Sequence, residues 1–479
     1  MLGLSTPLAK VFLPVTINGD IALMKGLMKV ILEAGAEDRE FIDAHTHGFE
    51  ALKADIDNTS WPEICKGSGL TEAQIREAAQ IAIESKATIC CWAMGLTQHE
   101  NAVGTIQQVV NFLLLRGMMG KPGAGACPVR GHSNVQGDRT MGIWEKMPES
   151  FLQKLDAEFG FISPRNHGHD TVQTIQAMQR GEVQVLVAMG GNFLSATPDT
   201  DATAAALRKT RLTVHISTKL NRAHVVHGRA ALILPCLGRT EADLQATGAQ
   251  FVTVENSMGV VHQSHGQLKP ASEYLLSEVA IVCGLAKAVL GEDWSGFAAN
   301  YDTIRDHISR VVPGFEDFNE RVRHPGGFYL PNAARDGTYN TPTGKANFIT
   351  HPIPDWTLPE GHLILMTIRS HDQYNTTIYG LDDRYRGIHH GRRVVFLNEN
   401  ELAARGLKAG EWVDLISVYE DGERIAHRFL TVAYAIPPGC AAAYFPEANV
   451  LVPLHKTAKK SNTPVSKSIV IKLRKHLEL

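Results

Sequence analysis

Residues 183–192 read VQVLVAMGGN, a short apolar run rich in β-branched residues that stops at a glycine pair. A run of this length and composition predicts a fully buried strand ending in a tight turn. Pro198 and Asp199 then open a helix predicted to run through Leu207. Leu212–Ile216 predicts a second strand and Ala230–Leu234 a third, ending at Pro235-Cys236. Upstream the same rhythm recurs. Thr71 has the character of an N-cap for a helix over 71–86; Ala87–Ala93 is a short strand; and a helix follows over Val103–Arg116. Strands alternating with helices define an α/β fold with doubly wound parallel sheets, whose ligands belong at the carboxyl ends of the strands.

The character changes near residue 355. Leu363–Thr367, Val394–Leu397, Trp412–Val418, Ile425–Val432 and Cys440–Tyr444 are short β-rich runs separated by turns such as Asp421-Gly422. Five or six such strands in so short a stretch predict a small closed β-barrel. Between the two regions, Ser272–Leu290 has helical spacing, and Pro313–Lys345 is an irregular linking segment. Three domains result: 1–132 and 133–355, both α/β, and a C-terminal barrel over 356–479.

With 44% hydrophobic and 20% charged residues in 479, the chain has ordinary globular composition. A formal net charge of −3 gives no reason to expect nucleic acid as a partner. No apolar stretch approaches the ~18 residues of a membrane span, and the N-terminus lacks the parts of a signal peptide. A cytoplasmic protein is expected. The seven cysteines are scattered, without C-x-x-C spacing, and suit reduced buried thiols, with Cys90-Cys91 in the core. Asp43, His45 and His47 could mimic a metal pair, but no third ligand accompanies them, so a surface segment is expected. Val11–Pro14 resembles the tail of a strand, followed by a turn at Asn18-Gly19-Asp20 and a helix near Ile21–Glu33. A start in mid-unit predicts sequence missing upstream, as in a truncated gene product or one half of a split protein.

Residues 116–142, RGMMGKPGAGACPVRGHSNVQGDRTMG, form a long run without periodicity. Such runs inside a compact domain are usually functional or disordered, and Met118, Met119, Val129, Val135, Met141 and Trp144 supply apolar anchors against disorder. Glycines let backbone N–H groups approach an anion, while Arg130, His132, Ser133, Asn134, Gln136 and Arg139 add donors. The composition suits a ligand with several phosphates and an amide-bearing ring. A structural crossover loop is the alternative.

This run resembles the ordered glycine-rich stretch of the dimethyl sulfoxide reductase superfamily of molybdopterin-dependent oxidoreductases, most closely its formate-dehydrogenase-like alpha subunits. Support comes from Gly95-x-x-Gln98-His99, from Met189–Asn192 with Pro198-Asp199, from Ile233-Leu234-Pro235 with Glu241, and from Asn449 and Thr463-Pro464 with Lys467. The resemblance covers essentially the whole chain. It implies a molybdenum or tungsten ion held by two molybdopterin guanine dinucleotides and the two-electron oxidation of a small molecule such as formate. Gly95, Gln98 and His99 would face one dinucleotide. Gly190, Gly191 and Asn192 would receive a pyrophosphate, and His215, Ser217, Thr218 and Asn221 would lie near a guanosine. Arg369, His371, Asn375, Asn449 and Lys467 would contact pterin nitrogens and phosphate, within a loop 367–386 that also carries Tyr379. For each of these, a turn or cap residue at a strand end is the alternative.

Arg130 matches the arginine that faces the substrate in formate dehydrogenases, where a guanidinium pairs with a carboxylate in bidentate fashion. A salt-bridged or phosphate-binding arginine is the other reading. His132 stands where a glutamine-like residue is usual, so the resemblance does not extend to strict formate specificity, and His132 becomes a candidate proton acceptor. The family's 4Fe-4S cysteines and metal ligand lie upstream of the matched region, so no ligand for either is expected in this chain. An N-terminal half or an electron-transfer subunit is the expected partner besides the small substrate. Two other readings compete: a catalytically silent cofactor-binding or interaction module, and a nicotinamide-dependent dehydrogenase. The latter lacks a Gly-x-Gly-x-x-Gly between strand and helix.

Overall fold

Thr71 and Gln74 satisfy each other's backbone N–H groups in a capping box, which starts the second long helix where the sequence places it. The computed structural model describes residues 8–132, 134–355 and 357–476; Ser133 lies outside them. In chain order the principal elements begin with α1 (Asp20–Glu33), α2 (Glu72–Glu84), β1 (Ile89–Trp92), α3 (Ala102–Leu115) and β2 (Gly125–Pro128). Then come α4 (Thr171–Gln179), β3 (Val185–Met189), α5 (Thr200–Leu207), β4 (Leu212–Ser217), β5 (Ala230–Pro235) and α6 (Glu278–Leu290). The chain closes with β6 (Leu363–Ile368), β7 (Val394–Leu397), β8 (Trp412–Tyr419), β9 (Gly422–Ala433), β10 (Cys440–Tyr444) and β11 (Ile469–Lys475).

These elements form two compact units, one of residues up to Pro128 and from Ala333 onward, the other of Val129–Asn332. In the first, β1 and β2 pair in parallel, and Met28, Ile31, Leu52, Phe112, Leu113 and Phe348 form the helical core. Its six C-terminal strands close into a barrel of order β6-β10-β7-β9-β8-β11. Leu365, Val395, Val413, Phe429, Ala441 and Ile469 fill the barrel. In the second unit β3, β4 and β5 form a three-stranded parallel sheet, with α4 packed on α5. The architecture is mixed α/β with parallel sheets and a closed C-terminal barrel, as the sequence implies.

Several local expectations need correcting. Strand β3 exists, but it is not fully buried: Val185, Val187 and Met189, which share one face of this edge strand, are each about half exposed. Only the central β4 is buried along its length. Val11–Pro14 is not a strand. The N–H of Thr16 instead reaches the carbonyl of Ser68, and Leu13 and Val15 pack on Ile64, Leu70 and Ile75. The helix read from Ser272 starts at Glu278, because the Ser277 side chain accepts from the N–H of Ala280 and caps it. Likewise the helix read from Pro198 begins at Thr200, capped by Asp199. Run 116–142 is not one continuous loop: it contains β2 and a helical turn over Val135–Thr140.

Candidate functional site

In the first unit, the turn after β1 places Gly95, Gln98 and His99 beside the barrel. His99 is fully buried, and its Nε2 lies 2.7 Å from the carbonyl oxygen of Gly95. That nitrogen must therefore carry the proton, which leaves Nδ1 a bare acceptor with no partner among the described residues. Burial pushes the His99 imidazole down to about 4, with the Lys467 charge adding to the effect against the bond to Gly95. His99 is neutral at physiological pH.

Lys467 is 6% exposed; its backbone N–H donates to the Gln98 carbonyl at 3.1 Å and its ammonium donates to the Thr367 carbonyl. Burial, reinforced by Arg369, lowers its amine to about 7. The Arg369 guanidinium lies 3.8 Å from the Phe445 ring centroid, and burial with Arg392 nearby brings it down to about 10. Two cations crowded together and away from water lose free energy unless an anion joins them. Gln98 Oε1 also lacks a partner among the described residues. The fold thus brings together Gln98, His99, Arg369 and Lys467. A cavity of about 300 Å³ adjoins them, lined by Asn18, Asp20, Gly95, His99, Met366 and Cys440 among others. Burial raises the Asp20 carboxyl to about 6, and Asn18 Oδ1 has no partner there.

Other barrel candidates are held differently. His371 is exposed, with Nε2 2.8 Å from Arg384 and its ring edge-on to Tyr385. Asn375 sits at a hairpin tip with φ of 49°, and its carbonyl accepts from Gln373. Asn449 is buried in a short helical turn. Sequence reading missed Arg392, which is 5% exposed and bonds Glu447, Ser370, Gln373 and the Phe445 carbonyl. It fixes the loop that carries Arg369. Its signal, one of two adjacent arginines just before a strand, is indistinguishable in sequence from that of the exposed Arg393 beside it.

In the second unit the predicted strand-end residues converge at the carboxyl ends of β3 and β4. Gly190 and Gly191 both have φ of 66°, and a Cβ at either would meet no atom of the described residues within 4 Å. The backbone there is left-handed, with the Gly190 N–H given to the Ile216 carbonyl at 2.7 Å. Asn192 caps the turn Phe193–Ala196. Asn221 donates to the Gly191 carbonyl at 2.8 Å and accepts from the N–H of Ala223 at 2.9 Å. His215 is 4% exposed and its ring lies 4.6 Å from that of His224, a second residue the sequence reading missed. His224 Nδ1 accepts from the Asn221 N–H at 3.0 Å, so its Nε2 is a donor. Both Nε2 atoms lack a partner among the described residues. Ser217 bonds the Lys219 carbonyl, and Thr218 is exposed.

Also in this unit, Arg130 is exposed, and its Nε donates to Gln136 Oε1 at 3.2 Å, while Gln136 Nε2 donates to the Asn256 carbonyl. Asn134 accepts from the Glu255 N–H at 2.9 Å. Asn134 and Gln136 thus fasten the segment to the strand Val252–Glu255, and Gln136 orients Arg130. His132 is exposed, and its charge works against the burial that raises Asp138.

In the first unit, buried acceptors and paired cations fit phosphate and an amide-bearing ring; in the second, a donor histidine and a glycine turn offer the same kinds of contact. The sequence matches the molybdopterin oxidoreductase family over residues 11–261, and the molybdopterin dinucleotide binding domain over residues 363–470. The chain belongs to the molybdopterin oxidoreductase family. Among its relatives, oxidoreductase Rv2900c of Mycobacterium tuberculosis is 54% identical over 489 residues, covering 99% of this chain and 63% of its own. Protein YdeP of Escherichia coli is 45% identical over 98% of this chain and 64% of its own. Formate dehydrogenase H of E. coli is 30% identical over 40% of this chain and 28% of its own. Among solved structures, acetylene hydratase from Pelobacter acetylenicus superposes with a TM-score of 0.70 at 17% identity, over 98% of this chain and 72% of that one. The chain therefore spans less than two thirds of the length of Rv2900c or YdeP. The two matches cover both the α/β and the barrel regions. No helix among the described residues is long and apolar enough to cross a membrane.

Proposed function

We propose that this chain contributes to a molybdopterin guanine dinucleotide-dependent oxidoreductase of the formate-dehydrogenase-like type, which oxidises a small carboxylate such as formate by two electrons. The observation that carries the substrate class is Arg130, an exposed guanidinium oriented by Gln136, itself tied to the Asn256 backbone. The identity with formate dehydrogenase H supports the same reading. When bound, the molybdenum or tungsten centre would supply the two-electron acceptor. Arg130 holds the carboxylate in a two-point grip, and a ring nitrogen of His132 accepts the released proton.

In this reading residues of the segments 1–132 and 356–479 hold one dinucleotide, and residues of the segment 133–355 hold another. Gly190, Gly191, Asn192, His215, Ser217, Thr218 and Asn221 hold the pyrophosphate and guanosine of one dinucleotide. Gly95, Gln98, His99, Arg369 and Lys467 hold pterin and phosphate of the other. The neutral His99 offers Nδ1 to a ring N–H, and an anion settles between Arg369 and Lys467.

The test is formate oxidation by the loaded enzyme with an artificial acceptor, compared with its Arg130→Lys form. A loss of tenfold or more in kcat/KM, mostly through KM, is expected, because lysine cannot reproduce the two-point grip. Equal kinetics in both proteins, or no turnover of formate or any small carboxylate, would overturn the assignment.

A further inference from the structure

Cys91 on β1 and Cys127 on β2 are register partners in a parallel strand pair. Partners in such a pair project from the same face, and neighbouring strands lie about 4.8 Å apart. That spacing falls within the roughly 4.4–6.8 Å between Cα atoms that a disulfide spans. Cys91 is exposed and Cys127 half-buried, whereas Cys90 lies on the opposite face against the helical core. The sequence reading placed Cys90-Cys91 together in the core; strand alternation separates them. Cys236, Cys283 and Cys440 are buried.

We propose that Cys91 and Cys127 form a reversible dithiol–disulfide pair, a redox-sensitive clasp between β1 and β2 that is closed by exchange with a small-molecule disulfide. One cysteine thiolate attacks a sulfur of the oxidant, its S–S bond breaks, and one thiol leaves as a mixed disulfide forms on the protein. The second cysteine, as thiolate, then attacks the protein sulfur of that mixed disulfide and displaces the second thiol. The protein loses two protons and two electrons, and the oxidant becomes two thiols.

Reversibility follows from the strand geometry. Cβ atoms of neighbouring parallel partners stand near the strand spacing, whereas an unstrained disulfide draws them to about 3.8 Å. The link is therefore strained, and strained exposed disulfides are the readily reduced ones. Burial, with the neighbouring Cys127 thiol, holds the Cys91 thiol above its ordinary value, so closure should quicken as pH rises. The clasp would fix the strand that ends at Pro128, two residues before Arg130.

The test uses the purified chain in graded ratios of oxidised to reduced glutathione, with a chelator present, followed by alkylation and peptide mapping. Two of the seven cysteines should become protected together, in a linked Cys91–Cys127 peptide that reduced glutathione reopens. Cys90→Ser should keep the link, and Cys127→Ser should lose it and retain glutathione on Cys91. If the variants misfold, the wild-type peptide map decides alone. Alkylation of both thiols at every ratio, or a link through Cys90 instead, would overturn the proposal.

Discussion

Lys467→Met should make the protein more stable at pH 6, although it deletes a buried hydrogen-bonding group. The amine sits at about 7 in the fold against an ordinary 10.5. That gap corresponds to roughly 5 kcal/mol disfavouring the charged form in the native state. Because the folded value lies below the unfolded one, the unfolded chain binds more protons between pH 7 and 10.5. Wild-type stability should therefore rise with pH across that window, and the full penalty applies below pH 7. Methionine removes the penalty but forfeits the bond to the Thr367 carbonyl, about 1–3 kcal/mol. The net gain at pH 6 is about 2–4 kcal/mol, a shift in Tm on the order of 5 °C. By pH 10 the gain should vanish or reverse. Thermal unfolding followed by circular dichroism at both pH values measures this. Inorganic pyrophosphate at pH 6 should stabilise the wild type and not the variant, since an anion restores the charge its partner. Equal differences between the two proteins at pH 6 and pH 10 would refute the reasoning.

Asp414 offers the opposite sign. Burial alone would raise its carboxyl, but bonds from the Arg428 N–H, His476, Arg474 and His427 outweigh that and hold it at about 2. Its stabilisation is present above pH 4 and lost as pH falls toward 2. Asp414→Asn should cost roughly 2 kcal/mol at pH 7 and nothing at pH 2, read from urea midpoints. Gly191→Ala should cost about 1 kcal/mol through its left-handed backbone, while adding a methyl to open space; a larger loss would mean an undetected contact. Gln136→Leu should leave folding within about 1–2 kcal/mol of wild type but raise KM for the carboxylate substrate several-fold by releasing Arg130. Unchanged KM would remove the orienting role of Gln136.

Elements whose burial pattern follows their chemistry were legible in sequence. The helix after Thr71, the strand Leu212–Ser217 and five barrel strands lie within a few residues of the sequence reading. The sixth, Ile469–Lys475, was not singled out, although its apolar positions Ile469, Ile471 and Leu473 alternate with Lys472 and Arg474, and Ile469 and Ile471 are buried. The exposure of β3 was not legible, since the same valines suit a central or an edge strand until the partners are known. In the site, positions after strand ends were readable as turns, because glycine and asparagine supply the left-handed and capping conformations needed there. Arg392 and His224 were not. Their roles come from partners at residues 370, 445 and 447, and from ring contact with His215, none of which sequence spacing reveals.

The residues around His99 and Lys467, and separately those around Gly190 and His215, are proposed to bind molybdopterin dinucleotides, and cofactor content tests that most directly. The protein should be purified from a host that makes molybdopterin guanine dinucleotide, together with any polypeptide that completes it. Metal analysis, pterin fluorescence and acid release of nucleotide should then find molybdenum or tungsten with pterin and two guanosine monophosphates per metal. Protein that is folded and complete yet carries neither metal nor pterin would contradict the assignment.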